Sequence, residues 1–329
     1  MKSRRLGFEN FDDTFVTHGI DVITDPHSED DGAVYIFAIN HVPSPEYLKL
    51  KQTSEYGKGT TFEVKKSNSR VEVFHHVLGS SSVRHIRTVQ DQLITTPNDI
   101  FAISPASFYV TNDHYYPEGH MRTVEDLYSG ARWSNIVHVR TSGDGPSGSK
   151  TTIAMTGLHN NNGLGHGKSP DEILIDSCTS GTLHIGRVSP ESEEHTIELQ
   201  ESIQIDSIVD NPTYFSDPFA TASHDASGYV LAGLSRAIDL PKTCGDPAAT
   251  EPVMVWYVTP AVAEREGDPG SGDRWKKRLL FEDDGSRIRS ASCAVLVPVD
   301  PTTEGGKRKA WLFVTGFLSE NIIAVKVDL

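Results

Sequence analysis

Short runs of β-branched and aromatic residues recur along the chain, and clusters of Gly, Pro, Asn and Asp separate them. No helical spacing of apolar residues is sustained over about 11 residues. Apolar runs bounded by turn residues are typical of β-strands, so the pattern predicts an all-β protein. The predicted strands are Ala33–Ile39, Arg70–Phe74, Ile100–Ile103, Phe108–Thr111, Ile136–Val139, Ile153–Met155, Ile173–Ile175, Thr182–Val188, Tyr229–Ala232, Val253–Val258, Ala294–Pro298, Trp311–Val314 and Ile322–Val327.

These strands form a loose repeat. A polar loop, an apolar strand, a turn and a second strand return at intervals of roughly 50 residues. The polar loops open near His18, Asn98, Asn162, Asp210 and Arg289. Repeats of several short strands are the signature of propeller blades, whose inner strands line a central channel. We therefore expect a single β-propeller domain over residues 1–329, with one short helical turn at Thr123–Leu127. A β-sandwich also fits, because the repeats share little sequence.

The charge of the chain disfavours two classes of partner. Thirty Lys and Arg residues stand against 45 Asp and Glu residues, which gives a net charge of −15 over 329 residues. Nucleic acids and anionic membrane surfaces require clustered Lys and Arg, so neither is expected as a partner. No apolar run approaches the roughly 20 residues of a transmembrane helix, and the amino terminus turns acidic before a hydrophobic signal region could form.

Four polar clusters stand where the predicted loops meet the strands. Carboxylate, amide and backbone oxygens without cysteine suit calcium better than a transition metal. Asn and Asp also cap their own backbone in turns, and that structural role is the alternative interpretation of each cluster. The four clusters are His18-Gly19-Ile20, Asn98-Asp99-Ile100, Asn162-Gly163 and Asp210-Asn211.

Two histidines are candidates for proton transfer. His18 and His41 each lie at the end of an apolar stretch, at the expected mouth of the channel. An imidazole titrates near neutral pH and could deprotonate a water molecule while its partner relays the proton. The alternative is a half-buried histidine bonded to a carbonyl. A covalent serine mechanism is disfavoured because the chain has no Gly-x-Ser-x-Gly elbow.

At these same residues the sequence resembles the serum paraoxonase/arylesterase family. THGIDVITDP at 17–26 is similar to the family's His-Gly-Ile-Ser segment, and IFAINHVP at 36–43 is similar to its strand ending in Asn-His-Pro. The most specific match is PNDIFAISPASFYVTNDHYY at 97–116. NNNGLG at 160–165 and SIVDNPTYFSD at 207–217 resemble two further family segments. The resemblance implies a six-bladed propeller with a catalytic and a structural calcium in its channel.

The resemblance also implies roles for individual residues. His18 would act on the hydrolytic water and His41 would support it. Asp99 and the carbonyl of Ile20 match ligands of the structural calcium, and Asp113 with His114 match residues close to the family's pocket. The residues that match side-chain ligands of the catalytic calcium are Asn98, Asn162, Asp210 and Asn211.

One departure from the family concerns the amino terminus. The family has nearly a hundred residues before its His-Gly-Ile segment, with most of the first blade and a Glu-Asp pair that contributes one ligand to each calcium. This chain has 17 residues there. We therefore expect an incomplete amino-terminal blade, about five blades in all and weaker calcium binding, because the number of charged ligands tunes affinity.

The resemblance implies a calcium-dependent carboxylic ester hydrolase that acts on lactones and aryl esters, with an activity that the missing blade would impair. Two other hypotheses remain open at this point. The first is a non-catalytic propeller whose channel mouth binds a small ligand or a protein. The second is a sugar-lactone hydrolase of a related propeller family. Metal occupancy separates the catalytic hypotheses from the scaffold, since the proposed chemistry requires calcium with an open coordination position.

Overall fold

The structure is a computed structural model of the chain. It describes residues 4–28, 32–53, 64–128, 130–142, 148–189, 195–261 and 274–329. Twenty strands lie in the described part of the chain, together with three short α-helices and 3₁₀ turns at Ala237–Asp239 and Pro301–Glu304. The strands form five sheets of three to five strands each.

The first two sheets contain nine strands. The first sheet has the strand order β1-β5-β4-β3-β2, and the second has the order β6-β7-β8-β9. In the first sheet, β1 pairs in parallel with β5 and the other neighbours are antiparallel. The strands are β1 (Gly7–Glu9), β2 (Thr17–Thr24), β3 (Ala33–Pro43), β4 (Ser67–Val77), β5 (Ser82–Val89), β6 (Pro97–Ser104), β7 (Ser107–Asn112), β8 (Ser134–Thr141) and β9 (Ser149–Leu158).

The other three sheets follow chain order from first to last strand. The third sheet is β10 (Asn161–His166), β11 (Glu172–Ser177), β12 (Thr182–Val188) and β13 (Ile197–Gln204). The fourth sheet is β14 (Ile208–Phe215), β15 (Gly228–Leu234), β16 (Val253–Pro260) and β17 (Trp275–Asp283). The fifth sheet has three strands, β18 (Ala291–Val299), β19 (Lys309–Gly316) and β20 (Ile323–Asp328).

The predicted fold class, an all-β propeller with about five blades, is confirmed, and the five sheets are its blades. Each of the thirteen predicted strands falls on an observed strand. The strands that the pattern missed include β10 and β14, whose Asn, Gly and Pro residues resemble turn signals. They also include β2 and β13, whose polar residues alternate with apolar ones because one face of each strand is exposed.

The five polar loops lie in or just before one edge strand of each sheet, which confirms the phase of the repeat. His18 lies in β2, Asn98 in β6, Asn162 in β10 and Asp210 in β14, while Arg289 lies just before β18. These edge strands are unevenly spaced, and most of the intervals are longer than the expected 50 residues, because helices and long connections separate the strands of some sheets.

The contacts between Cα atoms divide the chain into two compact units. One comprises Met1–Gly163 with Val188–Ile197, and the other Leu164–Arg187 with Glu198–Leu329. The first unit has an apolar core between its two sheets, in which the rings of Phe37 (β3) and Phe108 (β7) lie 5.2 Å apart. The second unit has cores of its own. A single domain over residues 1–329 stays a prediction.

Two α-helices belong to the first unit. The helix α1 (Pro45–Lys51) begins after Ser44, whose hydroxyl accepts a hydrogen bond from the backbone N–H of Tyr47 at 3.1 Å. The sequence pattern missed this helix. The predicted turn at Thr123–Leu127 is confirmed within α2 (His120–Leu127), and α3 (Leu240–Thr243) lies in the second unit. No helix in the described ranges is long and apolar enough to cross a membrane.

Candidate active site

The two predicted histidines lie next to each other in the first sheet. His18 stands at a bulge in β2, where the pairing with β3 shifts between Thr17 and Ile20. The Nδ1 atom of His18 is 3.2 Å from the Nε2 atom of His41, and the two rings meet edge to face with centroids 5.2 Å apart. This separation is within hydrogen-bond reach, so the two rings can share a proton.

A buried hydrogen-bond network fixes the strand that carries His41. The preceding residue, Asn40, is fully buried and accepts a hydrogen bond from the backbone N–H of Val16 at 2.9 Å. Its amide donates to the buried Glu72 of β4 at 3.1 Å, and Arg70 and Thr88 each donate to the same carboxylate at 2.6 Å. A satisfied buried network of this kind rigidifies its surroundings.

The surroundings lower the pKa of both rings and keep them neutral at pH 7. Burial lowers the pKa of His18, and the nearby Asp113 carboxylate offsets part of that effect. Burial and repulsion by His18 lower the pKa of His41 to about 4, against the attraction of Asp113. Because both rings are neutral at pH 7, His18 is available there as a proton acceptor.

A cleft of about 390 Å³ opens at the histidine pair. Both histidines line it, together with the carboxylate of Asp113. Two prolines, Pro97 and Pro117, and a set of hydroxyl, cationic and further polar side chains complete the wall: Lys65, Lys66, Ser67, Ser69, Thr95, Thr96, Glu118 and Arg122. Such a cleft has room for a small organic molecule and offers polar groups that could orient it.

Asp113 and His114 form an ion-paired group beside the cleft. The His114 Nδ1 atom lies 3.0 Å from Asp113 Oδ1, although it is not directed at that oxygen as in a hydrogen bond. The Nε2 atom is 2.6 Å from Asp126 Oδ1. Burial disfavours a charge on His114, but these two carboxylates raise its pKa to about 9. His114 is therefore a cation at neutral pH.

The same contacts decide the charge of Asp113. Burial opposes its ionisation, but the contact with His114, the charge of His114 and the nearby Arg122 together hold the pKa of Asp113 below its ordinary value. The Arg122 guanidinium lies 3.6 Å from the Asp113 carboxylate. Asp113 thus keeps a fixed negative charge close to the histidine pair.

Gly19 allows β2 to approach β6 closely. A Cβ atom at Gly19 would lie 2.3 Å from the backbone oxygen of Asn98 and 2.6 Å from a carboxylate oxygen of Asp99. This approach brings the predicted structural-calcium residues Asp99 and Ile20 into the same neighbourhood. The side chain of Ile20 is half exposed, which is compatible with a role for its carbonyl alone.

Two further predicted residues, Asn98 of β6 and Asn162 of β10, also belong to the first unit. The Asn98 amide is buried and lies 3.5 Å from Asp113. Thr111 holds the surrounding backbone, because its hydroxyl accepts from the N–H of Asp99 at 2.9 Å and donates to the carbonyl of Asn162 at 2.7 Å. Asn162 is half-buried. The first unit therefore contains Ile20, Asp99, Asn98 and Asn162, while Asp210 and Asn211 belong to the second.

In the second unit, Asp210 and Asn211 lie at a bulge in β14, where the pairing with β15 is interrupted between Asp210 and Thr213. Asn211 takes a positive φ of 32°, and its backbone N–H donates to the Asp210 carboxylate at 3.0 Å. Burial raises the pKa of Asp210 to about 7 despite that hydrogen bond. Among the described residues no cationic side chain pairs with this carboxyl.

The chemistry of these residues fits calcium. A half-buried carboxyl without a cationic partner, amide oxygens and a backbone carbonyl are ligands that calcium accepts. Within the described part of the chain, no group of three or more His, Cys, Asp and Glu side chains is arranged to hold a metal ion. The predicted sets depend largely on amide oxygens, which such a group does not include. Calcium binding at these residues stays a prediction.

Pattern reasoning missed two residues of this region. Ser69 accompanies His41 in the cleft, with its hydroxyl 2.8 Å from His41 Nδ1. Glu125 of α2 is fully buried and accepts hydrogen bonds from the backbone N–H groups of Tyr115 and Tyr116 at 2.8 and 3.1 Å. A serine in a strand and a glutamate in an exposed helix carry no sequence signal for these positions.

Comparison with known proteins agrees with the sequence resemblance. Mouse (Mus musculus) serum paraoxonase/arylesterase 1 is 29% identical over 201 residues, which cover 60% of this chain and 45% of that protein. Human (Homo sapiens) serum paraoxonase/arylesterase 2 is 26% identical with the same coverage. The dog (Canis lupus familiaris) serum paraoxonase/arylesterase 2 is 25% identical over 220 residues, 67% of this chain and 49% of that protein.

The chain spans about half the length of these curated relatives. The family model described as Arylesterase matches residues 59–231, which are more than half of the chain. That match covers β4 to β14 and ends within β15, and it therefore includes the cleft residues of β4 and the segment from Asn98 to Asn211. The chain belongs to the arylesterase family.

Proposed function

We propose that the chain is a calcium-dependent hydrolase of carboxylic esters, with aryl esters and lactones as its substrate class. The observation that carries the proposal is the hydrogen-bonded pair His18–His41 on the wall of a cleft, with the Asp113 carboxylate beside it. The family match and the paraoxonase relatives support an ester-hydrolysing activity in general.

In the proposed reaction His18 acts as a general base. Its ring takes a proton from the water whose oxygen attacks the ester carbonyl carbon, while its Nδ1 atom stays 3.2 Å from Nε2 of His41. The Asp113 carboxylate favours the positive charge that His18 acquires. When the bond to the leaving alcohol or phenol breaks, His18 returns the proton to the leaving oxygen. For a lactone that oxygen remains on the same molecule.

The residues that would hold a catalytic calcium are Asn98, Asn162, Asp210 and Asn211, and Asp99 with the carbonyl of Ile20 would hold a structural one. A calcium ion bound there would polarise the ester carbonyl and stabilise the negative charge that develops on its oxygen. The absence of a serine elbow agrees with such a mechanism, because water and not a side chain is the nucleophile.

The test is hydrolysis of phenyl acetate and of a δ-lactone by the purified chain, with millimolar calcium or with a chelator. We expect turnover of both substrates that the chelator abolishes and that added calcium restores. A chain that is folded and saturated with calcium but hydrolyses neither ester would refute the proposal. That result would favour the non-catalytic propeller, whose cleft binds a ligand without transforming it.

A further inference from the structure

Ser69 faces His41 across the antiparallel pair β3–β4. The register places the two residues directly opposite each other, and the Ser69 hydroxyl lies 2.8 Å from His41 Nδ1. Ser69 is 6% exposed. Ser67, two residues earlier on the same face of β4, has its hydroxyl 3.2 Å from that of Ser69. Both serines line the cleft, so the histidine pair continues into a chain of four hydrogen-bonding groups.

The position of one proton decides what this chain of groups can do. A neutral imidazole carries a proton on only one ring nitrogen and accepts on the other. If Ser69 donates to Nδ1 of His41, then His41 donates from Nε2 to His18 Nδ1. The proton of His18 is then on its Nε2, where it blocks the nitrogen that would accept a proton from water.

The opposite direction leaves His18 competent. If Ser69 accepts from Nδ1–H of His41, then Nε2 of His41 accepts from Nδ1–H of His18, and the Nε2 lone pair of His18 is free. Ser69 then donates its own proton to Ser67, which is within hydrogen-bond distance. The N–H groups of both rings that face the chain and the hydroxyl of Ser69 each have an acceptor in this arrangement.

We propose that Ser69 is a positioning residue that fixes the tautomers of both histidines by accepting the Nδ1–H of His41. Its effect on catalysis rests on the proposed function, since it acts only through His41 and His18. The role corresponds to that of any group that orients the imidazole of a general base.

The chain offers a matched control. The hydroxyl of Ser107 also lies 2.8 Å from a histidine, His138, but neither residue lines the cleft. Ser107→Ala and Ser69→Ala therefore each remove one serine–histidine contact of the same length. Only Ser69→Ala should affect the cleft.

The test is nitrogen-15 NMR of the histidine side chains in the full chain, with signals of His41 and His18 assigned from His41→Gln and His18→Gln. We expect both rings to carry their proton on Nδ1 in the unmodified chain. Ser69→Ala should give a mixture of His41 tautomers, Ser69→Thr should restore a single one, and Ser107→Ala should leave both rings unchanged. A proton on Nε2 of His41 in the unmodified chain would overturn the proposal without any variant.

Phenyl acetate hydrolysis is the second readout. Ser69→Ala should lower kcat about tenfold with little change in KM, which is the order expected for the loss of one orienting hydrogen bond. Ser69→Thr should recover most of that loss. Full kcat in Ser69→Ala, together with a shifted tautomer, would overturn the positioning role. An inactive unmodified chain would refute the proposed function. The NMR result would still decide whether Ser69 donates to His41 or accepts from it.

Discussion

The first unit contains two close pairs of histidines, His18–His41 and His138–His195, and their comparison shows which features mark a site. One member of each pair lies 2.8 Å from a serine hydroxyl. Burial comes first among the causes that lower the pKa of His41 and of His138, in both cases to about 4. Residue type, hydroxyl contact and low pKa are therefore common to both pairs.

The two pairs differ in geometry and in the charges around them. The rings of His138 and His195 are stacked, with centroids 4.1 Å apart and planes 25° from parallel, whereas His18 and His41 meet edge to face through their nitrogens. The stacked pair lies near Arg140, whose charge adds to the lowering of the pKa of both rings. The cleft pair lies near Asp113, whose charge opposes the lowering of the pKa of both rings.

These differences have chemical consequences. Stacked rings cannot pass a proton between their nitrogens, and a neighbouring guanidinium opposes the charge that a base acquires. Rings that meet nitrogen to nitrogen can pass a proton between them, and a neighbouring carboxylate favours the positive charge that the base acquires. A low histidine pKa alone thus fails to distinguish a packing element from a candidate base, and the nearby anion and the open cleft make the distinction.

The largest expected effect separates the two pairs by activity. His18→Gln should lower ester turnover by at least about 10², because proton transfer by a positioned imidazole contributes about 10² to 10⁴. His138→Gln should leave turnover within about twofold, since His138 lies outside the cleft. Steady-state hydrolysis of phenyl acetate by both variants is the measurement, and thermal melting confirms that each is folded. Equal losses of turnover in the two variants would contradict the assignment of His18 as the catalytic base.

Calcium should affect the surroundings of the cleft pair, because Asn98 of the proposed calcium set contacts Asp113. Calcium at about 100 times its dissociation constant should stabilise the fold by about 2.7 kcal/mol, provided that it binds only the native state. Asp210→Asn should lose most of that gain, since it removes a carboxylate from the set. The exposed Asp206→Asn is the control. A melting temperature that changes with neither calcium nor chelator would contradict the proposed calcium site.

Substitution of Gly19 tests whether the arrangement of His18 and His41 depends on the close approach of β2 to β6. Gly19→Ala would place a methyl group 2.3 Å from the Asn98 carbonyl oxygen, and we expect the free energy of unfolding to fall by about 1–3 kcal/mol. Gly7→Ala is the control, because its nearest neighbour would be 3.9 Å away. Urea unfolding measures both. NMR signals of His138 and His195 should not move in Gly19→Ala, while those of His18 and His41 should.

The smallest expected effect is on the pH dependence of stability, and it comes from the low pKa that His138 and His41 have in common. The folded pKa of His138 and of His41 is about 4, below the ordinary value of 6.5, so the fold favours the neutral rings. Their stabilisation is complete above pH 6.5 and is lost as the pH falls from 6.5 towards 4. Replacing either ring by Gln should reduce that loss by on the order of 1 kcal/mol between about pH 6.5 and 5.

Urea unfolding at a series of pH values measures this loss for His138→Gln and His41→Gln, with the exposed His224→Gln as the control. The two variants should flatten the profile to a similar degree even though only one of the rings lies in the cleft. A control variant that flattens the profile equally would show that the buried rings are not its cause.

Local patterns determined much of the fold. Apolar runs between turn residues are sufficient to locate a strand such as Thr182–Val188, whose predicted and observed bounds coincide. Polar residues at the start of each repeat marked an edge strand of every sheet, although the apolar pattern did not identify β2, β10 and β14 as strands. Strands with one exposed face, such as β13 with its alternating pattern, were missed because their apolar residues are too few to form a run.

The sequence by itself determined the fold class, the family and the candidate residues His18 and His41, since each follows from short motifs that can be recognised one at a time along the chain. Only the tertiary structure decided which side chains surround that pair. Ser69 faces His41 because of the register between β3 and β4, and Asp113 reaches the pair from β7's end in another sheet. The stacking of His138 on His195 joins positions far apart in the chain. Pairing register and packing between sheets fix such contacts, and no local pattern of residue types records them.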